Sequence, residues 1–203
     1  MNKKEKHLER IISLFNQHGY WKIRVDDIAR ELKISKKTLY IEFENKKDII
    51  RQSILHRIEK ITDSSKKAEA ESDNAIIAFF KILTEFYNIV DIEQDRENFQ
   101  ALQKYYMELF EFQIDQIYSV IKNVISNNYI RGIEEGLYSQ EFDADFIGRY
   151  YALSYLTNRL SKYTNLSPKV LKQQKDNTIK LILNGMTTEK GKMAMANYYQ
   201  INP

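Results

Sequence analysis

The sequence predicts an all-α protein, on two observations. The 203-residue chain contains six glycines and two prolines, and neither type occurs between Tyr20 and Arg131. A sheet of several hairpins needs turn residues that accept positive φ in such a span, whereas helices can end at Asp, Asn or Ser. Apolar residues also recur at the i, i+3, i+4, i+7 spacing of a helix, as they do over residues 8–15.

Helix patterns and end signals divide the first fifty residues into four helices. The first is expected over about 4–18, and Gly19 stands where a helix C-terminus favours glycine. A short helix with an apolar face follows, and then a turn at 33–35. Ser35 is the expected N-cap of a third helix at 36–42, and a longer helix begins after residue 45.

Further helices are expected in the rest of the chain. The pattern at about 75–90 is apolar on almost all sides, which predicts a helix in the middle of a bundle. The polar stretch 62–74 is either a frayed helix end or a loop, and 91–98 is expected to be a connector. The remaining predicted helices run to about 106, from there towards Gly132, over about 143–163 and over about 168–186.

The composition is that of a soluble globular protein, with 43% hydrophobic and 29% charged residues. The first ten residues are highly charged and lead into no apolar segment of a secretory signal. The most apolar stretch, 75–83, is too short to cross a bilayer. The absence of cysteine excludes disulfides and thiolate metal sites. We therefore expect a cytoplasmic protein that does not enter a membrane.

Charge and aromatic residues divide the chain into two parts. Residues 1–51 hold 13 Lys and Arg against 8 Asp and Glu, a net charge of +5, whereas the rest holds 18 against 20, a net of −2. Twelve of the fourteen tyrosines and eight of the ten phenylalanines lie after residue 51. This division predicts a basic domain at 1–52 and a second, aromatic-rich domain at 53–203, with separate functions.

The two short helices and their turn have the geometry of a helix-turn-helix. Free N–H groups and the positive end of the dipole make a helix N-terminus favourable for phosphate. Lys36, Lys37 and Thr38 lie in the first turn of the second short helix, where side chains reach base edges in the major groove. Lys46 and Lys47 begin the next helix in the same way. The alternative is a small helical bundle whose lysines are only solvated.

The run GYWKIRVDDIARELKISKKTLYIEFENKKDII, residues 19–50, resembles the DNA-binding domain of the tetracycline-repressor (TetR/AcrR) family. The match is dense over this part of the chain and is far more specific than any single motif. The residues that carry it are Gly19, Asp27, Ile28, Ala29, Leu32, Ile34, Ser35, Thr38, Leu39, Tyr40, Phe43, Lys46 and Ile49.

The resemblance implies a helix-turn-helix at 24–43 with its recognition helix at about 36–42. It implies DNA contacts by hydroxyl groups and cations on one face, namely Arg24, Ser35, Lys36, Lys37, Thr38, Tyr40 and Lys46. It also implies a small core beneath them, formed by Ile28, Ala29, Leu32, Ile34, Leu39 and Phe43.

Two residues depart from the family pattern. Arg24 stands where the family often has a threonine N-cap, and a guanidinium cannot accept the N–H bonds of a cap. Asp26 is available to cap one turn later, while Arg24 meets a phosphate. Glu42 stands where His or Tyr is common, and because a carboxylate would not contact phosphate, that contact is not expected here.

For the second part of the chain, the resemblance implies binding of a small effector and dimerisation. Aromatic residues at 75–135 could line a pocket for an apolar or aromatic ligand, although they also suit an ordinary core. The candidates are Phe79, Phe86, Tyr87, Tyr106, Phe110 and Tyr118. The last two predicted helices, about 143–163 and 168–186, could form half of a four-helix homodimer seam or pack only within the chain.

No pattern favours an enzyme. The three histidines have neither H-E-x-x-H nor E-x-x-H spacing, and there is no glycine-rich phosphate loop and no G-x-S-x-G. We therefore expect no catalytic residues, metal or cofactor. The favoured interpretation is a ligand-responsive transcriptional repressor that binds a pseudo-palindromic operator in double-stranded DNA as a homodimer. The alternative is an architectural or constitutive DNA-binding protein without an effector.

Overall fold

The computed structural model describes residues 3–89, 92–160 and 167–201, and this part of the chain forms ten α-helices and no strand. The all-α prediction is therefore confirmed. The helices are α1 Lys3–His18, α2 Val25–Leu32, α3 Lys36–Glu42, α4 Lys46–Ala70, α5 Ala75–Ile89, α6 Ile92–Tyr105, α7 Met107–Glu134, α8 Ala144–Leu160, α9 Pro168–Met186 and α10 Glu189–Ile201. No helix in these ranges has the length and apolar character needed to cross a bilayer.

The structure decides one alternative that the sequence left open and differs from the expectation at α6 and α10. The polar stretch after residue 61 is helical up to Ala70, so the frayed-helix alternative was correct there. The expected connector at 91–98 was wrong from Ile92 onwards, where α6 begins, because polar residues with good helix propensity give no apolar stripe to detect. The last helix, α10, was not predicted. Its Gly191 weakens the local signal, yet a Cβ there would lie 2.1 Å from the carbonyl oxygen of Leu137, so close packing requires glycine.

The chain divides into two compact units. One consists of Met1–Ile61 with Tyr87–Gln116, and the other of Thr62–Phe86 with Ile117–Pro203. The first unit contains the three amino-terminal helices and α6. The second contains α5 up to Phe86, together with α8, α9 and α10.

The core of the first unit is formed by the apolar faces of its short helices. Gly19, at φ 83°, ends α1 by donating its N–H to the carbonyl of Phe15 at 2.8 Å. The chain then turns back so that the Tyr20 ring packs edge-on against Phe15, with centroids 4.9 Å apart. Each fully buried side chain of this size contributes roughly 1.5–3 kcal/mol. The buried apolar residues of these helices include Leu8, Ile11, Phe15, Ile28, Ala29, Leu32, Leu39, Phe43, Ile49, Ile50 and Ile54.

A buried asparagine joins α6 to the end of α1. The Asn98 side chain is 1% exposed, and its amide nitrogen donates to the Phe15 carbonyl at 3.2 Å. Its amide oxygen accepts the Tyr20 backbone N–H at 2.9 Å. The Tyr20 N–H lies beyond the end of α1, and the Phe15 carbonyl in the last turn accepts the Asn98 amide in addition to the Gly19 N–H. Asn98 therefore holds the α1–α2 corner from a helix that is distant in sequence.

A polar network closes the second unit around the loop between α4 and α5. Arg131 on α7 donates to the Glu69 carboxylate at 2.9 Å, to the Glu135 carboxylate at 2.7 Å and to the Ser72 carbonyl at 2.8 Å. Asn128, one turn earlier, donates to Glu69 at 2.8 Å and to the Ala75 carbonyl at 2.9 Å. These bonds fix the loop because they satisfy its backbone carbonyls from a neighbouring helix.

We predict that Asn98→Ala lowers the free energy of unfolding by about 1–3 kcal/mol, because the buried Tyr20 N–H then has no acceptor. Urea unfolding followed by far-UV circular dichroism measures the change. The control is Gln103→Ala, an exposed position on the same helix, for which we expect a change within roughly 0.5 kcal/mol. Equal urea midpoints for the two variants would contradict a structural role of the Asn98 amide.

Candidate nucleic-acid interface

The N-terminus of α2 is stabilised by a carboxylate within its first turn and not by the side chain of its N-cap residue. Arg24 is the N-cap, with φ −92° and ψ 160°, and its guanidinium has no acceptor to offer. The Asp27 carboxylate instead accepts the backbone N–H of Arg24 at 2.9 Å. Asp26, which was expected to cap this helix, forms an ion pair with Lys36. Arg24 stays exposed at the surface of the unit.

The turn between α2 and α3 is closed by backbone bonds and by a serine cap. Lys33 takes the left-handed conformation with φ 58°, and its N–H donates to the Arg30 carbonyl at 3.1 Å. Ser35 then caps α3 by accepting the Thr38 N–H at 3.0 Å, and the two hydroxyl groups lie 2.8 Å apart. The predicted turn and the predicted bounds of α3 therefore agree with the structure.

The predicted recognition helix, α3, rests on its apolar face. Leu39 and Phe43 are fully buried, whereas Ile34 in the turn is only half-buried. The Lys4 ammonium lies 5.2 Å from the centroid of the Phe43 ring. Because this face of α3 is buried, the opposite face is exposed to solvent.

Glu42 bonds within the protein. Its carboxylate lies 2.7 Å from Nδ1 of His7 on α1, and both side chains are largely buried. The residue that departs from the family pattern thus ties the last turn of α3 to the first helix. The partner could not be inferred from the sequence, since the two residues lie 35 positions apart.

Two lysines at the start of α3 differ in their surroundings. The Lys36 ammonium lies 3.0 Å from the Asp26 carboxylate, and this hydrogen bond raises the pKa of Lys36. Lys37 is exposed and makes no hydrogen bond or ion pair with any residue that the structure describes. Lys36 must therefore break its ion pair with Asp26 before its ammonium can bind another anion. The Lys37 ammonium is already available.

Sequence reasoning missed one exposed residue on the same helix. Ile41 has 79% of its surface accessible, and Tyr40 beside it is 44% exposed. An exposed aliphatic side chain on this helix suits an apolar contact such as a thymine methyl. The sequence does indicate this exposure, because Ile41 does not share the apolar helix face formed by Leu39 and Phe43.

The start of α4 presents a third set of polar groups. Asn45 caps this helix by accepting the Asp48 N–H at 3.0 Å, while the Asp48 carboxylate accepts the Glu44 N–H at 3.1 Å. Lys46 is half-buried, and burial lowers its pKa although Asp27 acts in the opposite direction. Its ammonium lies 5.9 Å from the centroid of the Tyr106 ring.

The candidate effector residues do not share one environment. Phe79 and Phe86 are fully buried in the second unit, where Phe79 packs edge-on against Tyr151. Tyr106 and Phe110 belong to the first unit, and Phe110 packs edge-on against Phe99. Tyr118 is half-buried in the second unit, and the side chain of Tyr87 lies outside the described residues.

A cavity of about 520 Å³ in the second unit has a different lining from the predicted pocket. It lies between the carboxyl-terminal parts of α4 and α7. None of the five aromatic candidates whose side chains are described contributes to it. Its lining residues are Ser65, Lys66, Glu69, Ala70, Val124, Asn127 and Arg131.

These features define a protein of the helix-turn-helix class: two short helices, a closed turn, and cations at the N-terminus of the second helix. Comparison with known proteins agrees. Residues 8–52 match the family model described as bacterial regulatory proteins, tetR family. The matched segment is the amino-terminal part of the chain that contains the α2–turn–α3 arrangement.

Curated relatives match slightly less than half of this chain. The biofilm operon icaADBC HTH-type negative transcriptional regulator IcaR of Staphylococcus aureus (strain Newman) is 34% identical over 91 residues. That segment is 45% of this chain and 48% of IcaR. The chain thus spans about half the length of the curated relatives it matches.

Solved structures match nearly the whole chain. A TetR transcription regulator from Haloarcula marismortui ATCC 43049 aligns with a TM-score of 0.72 at 17% identity, covering 91% of this chain and 98% of that one. SmeT, the repressor of the Stenotrophomonas maltophilia multidrug efflux pump SmeDEF, aligns with a TM-score of 0.66 at 12% identity, covering 93% and 92%. At these identities the likeness concerns the fold alone.

We predict that His7 and Glu42 are energetically coupled. A double-mutant cycle of His7→Ala and Glu42→Ala, followed by urea unfolding, is expected to give an interaction energy of roughly 0.5–3 kcal/mol because the pair is largely buried. The matched control is Arg10 and Glu31, a pair of exposed side chains 3.0 Å apart between α1 and α2. For that pair we expect about 0–1 kcal/mol. Additive effects of the His7 and Glu42 substitutions would show that the contact does not hold α3.

Proposed function

We propose that this chain is a transcriptional repressor that binds a pseudo-palindromic DNA operator as a homodimer and is released by a small effector. The observation that carries the proposal is the α2–turn–α3 arrangement, which presents the N-terminus of a short, externally exposed helix with lysines in its first turn. IcaR, which is 34% identical to this chain over 91 residues, is named a negative transcriptional regulator. We therefore propose that the protein is a transcriptional regulator rather than an enzyme.

The proposed DNA contacts follow from exposure and partners. Lys37 is the best candidate for reading a base edge, since it is exposed in the first turn of α3. Lys36 would exchange Asp26 for a phosphate, with Tyr40 and Arg24 contacting the backbone on either side. Ser35 and Thr38 serve chiefly as the cap of the helix, because their hydroxyl groups bond to each other.

The homodimer proposal rests on exposed apolar side chains along α8 and α9. Phe142, Phe146 and Tyr150 form a stacked series with centroids 6.1 Å apart at each step, and all three are exposed. Leu153 continues the series at 55% exposure, and Leu181 on α9 is 66% exposed. Because Ile147 and Tyr151 are buried within the chain, these exposed residues are the part of the two helices available to a partner.

The effector proposal is supported by the cavity between α4 and α7. Its volume of about 520 Å³ falls within the range of small-molecule sites. Lys66, Glu69 and Arg131 supply polar groups, while Ala70 and Val124 supply apolar surface. A ligand that prefers one arrangement of α4 would shift the DNA-binding equilibrium by its difference in affinity.

The rival function is a constitutive DNA-binding protein without an effector. It shares the helix-turn-helix and the exposed α8–α9 series, so neither feature separates the two. The cavity favours the regulator. A ligand that changes DNA affinity at constant salt would distinguish them, since an architectural protein has no such response.

We predict that the purified protein binds duplex DNA from the region upstream of its own gene with an affinity that falls as salt rises. Fluorescence anisotropy should show that Lys46→Ala weakens binding about equally on all sequences and lowers the salt slope by about 1, whereas Lys37→Ala relaxes sequence preference by about 1–3 kcal/mol. Lys180→Ala, exposed on α9, controls for loss of charge. Absence of salt-dependent binding would refute the operator proposal, and equal losses on every sequence would remove Lys37 from base readout.

We predict that Leu181→Glu and Leu153→Glu weaken dimerisation on the order of 100-fold or more, because a two-fold seam buries each unpaired carboxylate twice. Sedimentation equilibrium measures the dissociation constant. Met193→Glu, an equally exposed apolar position on α10, is the matched control and should leave the dimer intact. A monomeric wild-type protein at micromolar concentration would refute the homodimer, and unchanged dimers in both leucine variants would refute this seam.

A further inference from the structure

The junction between α6 and α7 is a single residue whose backbone is bonded to both helices. The N–H of Tyr106 donates to the Leu102 carbonyl at 2.8 Å. Its carbonyl accepts the N–H groups of Leu109 at 2.9 Å and Phe110 at 3.0 Å. The backbone of Tyr106 thus closes the last turn of α6 and caps the start of α7. These hydrogen bonds fix the direction in which its side chain leaves the backbone.

That side chain lies against a proposed phosphate contact. The Lys46 ammonium is 5.9 Å from the centroid of the Tyr106 ring, near the outer limit for attraction between a cation and an aromatic face. Attraction at this distance is weak, so we infer that the ring acts by covering part of the lysine. Lys46 is half-buried, and this burial lowers its pKa.

Two further cations of α4 face the same segment. The Lys47 ammonium lies 3.9 Å from the Glu108 carboxylate, and the Arg51 guanidinium carbon lies 4.2 Å from the centroid of the Phe112 ring. The beginning of α7 therefore runs beside the beginning of α4. An ordinary packing seam would join apolar side chains, whereas each α4 member of these three pairs is a cation.

We propose that Tyr106 is a positioning residue for DNA binding, which acts by holding the Lys46 side chain at the phosphate-binding start of α4. The role rests on the proposed function, because it needs Lys46 to meet a phosphate. A lysine side chain is flexible and strongly hydrated. Ordering it and removing part of its hydration before DNA binds reduces the free-energy cost of binding. Since the Tyr106 backbone belongs to the α6–α7 junction, any change at that junction also moves the group that orders Lys46.

The test is a double-mutant cycle in DNA affinity. Tyr106→Ala and Lys46→Ala are made singly and together, and binding to the upstream duplex is measured by fluorescence anisotropy over a range of salt. We expect Tyr106→Ala to weaken binding about fivefold in the wild-type background and less than about twofold in the Lys46→Ala background. Tyr106→Phe keeps the ring and should restore wild-type affinity. Tyr105→Ala removes the neighbouring exposed ring. Its effect on DNA affinity should be about the same in the wild-type and Lys46→Ala backgrounds.

A second measurement needs no DNA. The pKa of the Lys46 ammonium, followed by NMR of selectively labelled lysine, should move up towards the ordinary lysine value in Tyr106→Ala and stay unchanged in Tyr105→Ala. An unchanged pKa in Tyr106→Ala would overturn the contact.

The possible failures can be told apart. If the wild-type protein binds no duplex, the proposed function fails and this role fails with it. If the wild-type protein binds and Lys46→Ala has no effect, Lys46 is not a phosphate contact and the role is overturned. If the wild-type protein binds and Tyr106→Ala loses equally in both backgrounds, Tyr106 acts only on the fold, and the proposed function stands without this role.

Discussion

The proposed recognition helix α3 has only seven residues, and a helix of that length is not stable alone in water. Its geometry therefore depends on what holds its two ends and its inner face. Ser35 satisfies the N-terminus, while Leu39 and Phe43 bury the inner face. Glu42, bonded to His7, fixes the last turn to α1. The outer face is displayed to solvent because every other part of the helix is engaged.

The same constraint extends through the rest of the first unit. A helix held by its neighbours is only as well placed as they are, and α1 is itself held at its end by Asn98 from α6. Lys36, one of the cations proposed to contact DNA, has a partner in the free protein, since it pairs with Asp26. Under the proposed function Lys36 would exchange this partner for a phosphate, which limits the net gain from that contact.

The second unit is organised by polar groups around the α4–α5 loop and by aromatic side chains elsewhere. Tyr138 lies within the polar network, where burial raises its pKa and keeps the phenol neutral as a donor. The Phe80 ring stacks on Tyr198 of α10 with centroids 4.2 Å apart. Among the described aromatic residues of this unit, the exposed ones are Phe142 just before α8, Phe146 and Tyr150 on α8, and Tyr199 on α10.

The sequence by itself determined the features that depend on nearby residues. The all-α class, the bounds of α3, the Ser35 cap and the buried stripe of Leu39 all follow from spacings within a few positions. The basic amino-terminal part was likewise visible in composition. These predictions succeeded because helix caps and apolar periodicity are set by residues one or two turns apart.

Only the tertiary structure decided which distant groups meet. It assigned Glu42 to His7, Asp26 to Lys36 and Tyr106 to Lys46, and it showed Ile41 to be exposed. It also revealed α10 and the early start of α6, whose local patterns are polar or interrupted by glycine. Such pairings depend on how helices pack, and a side chain's sequence neighbours carry no information about a partner that arrives from another helix.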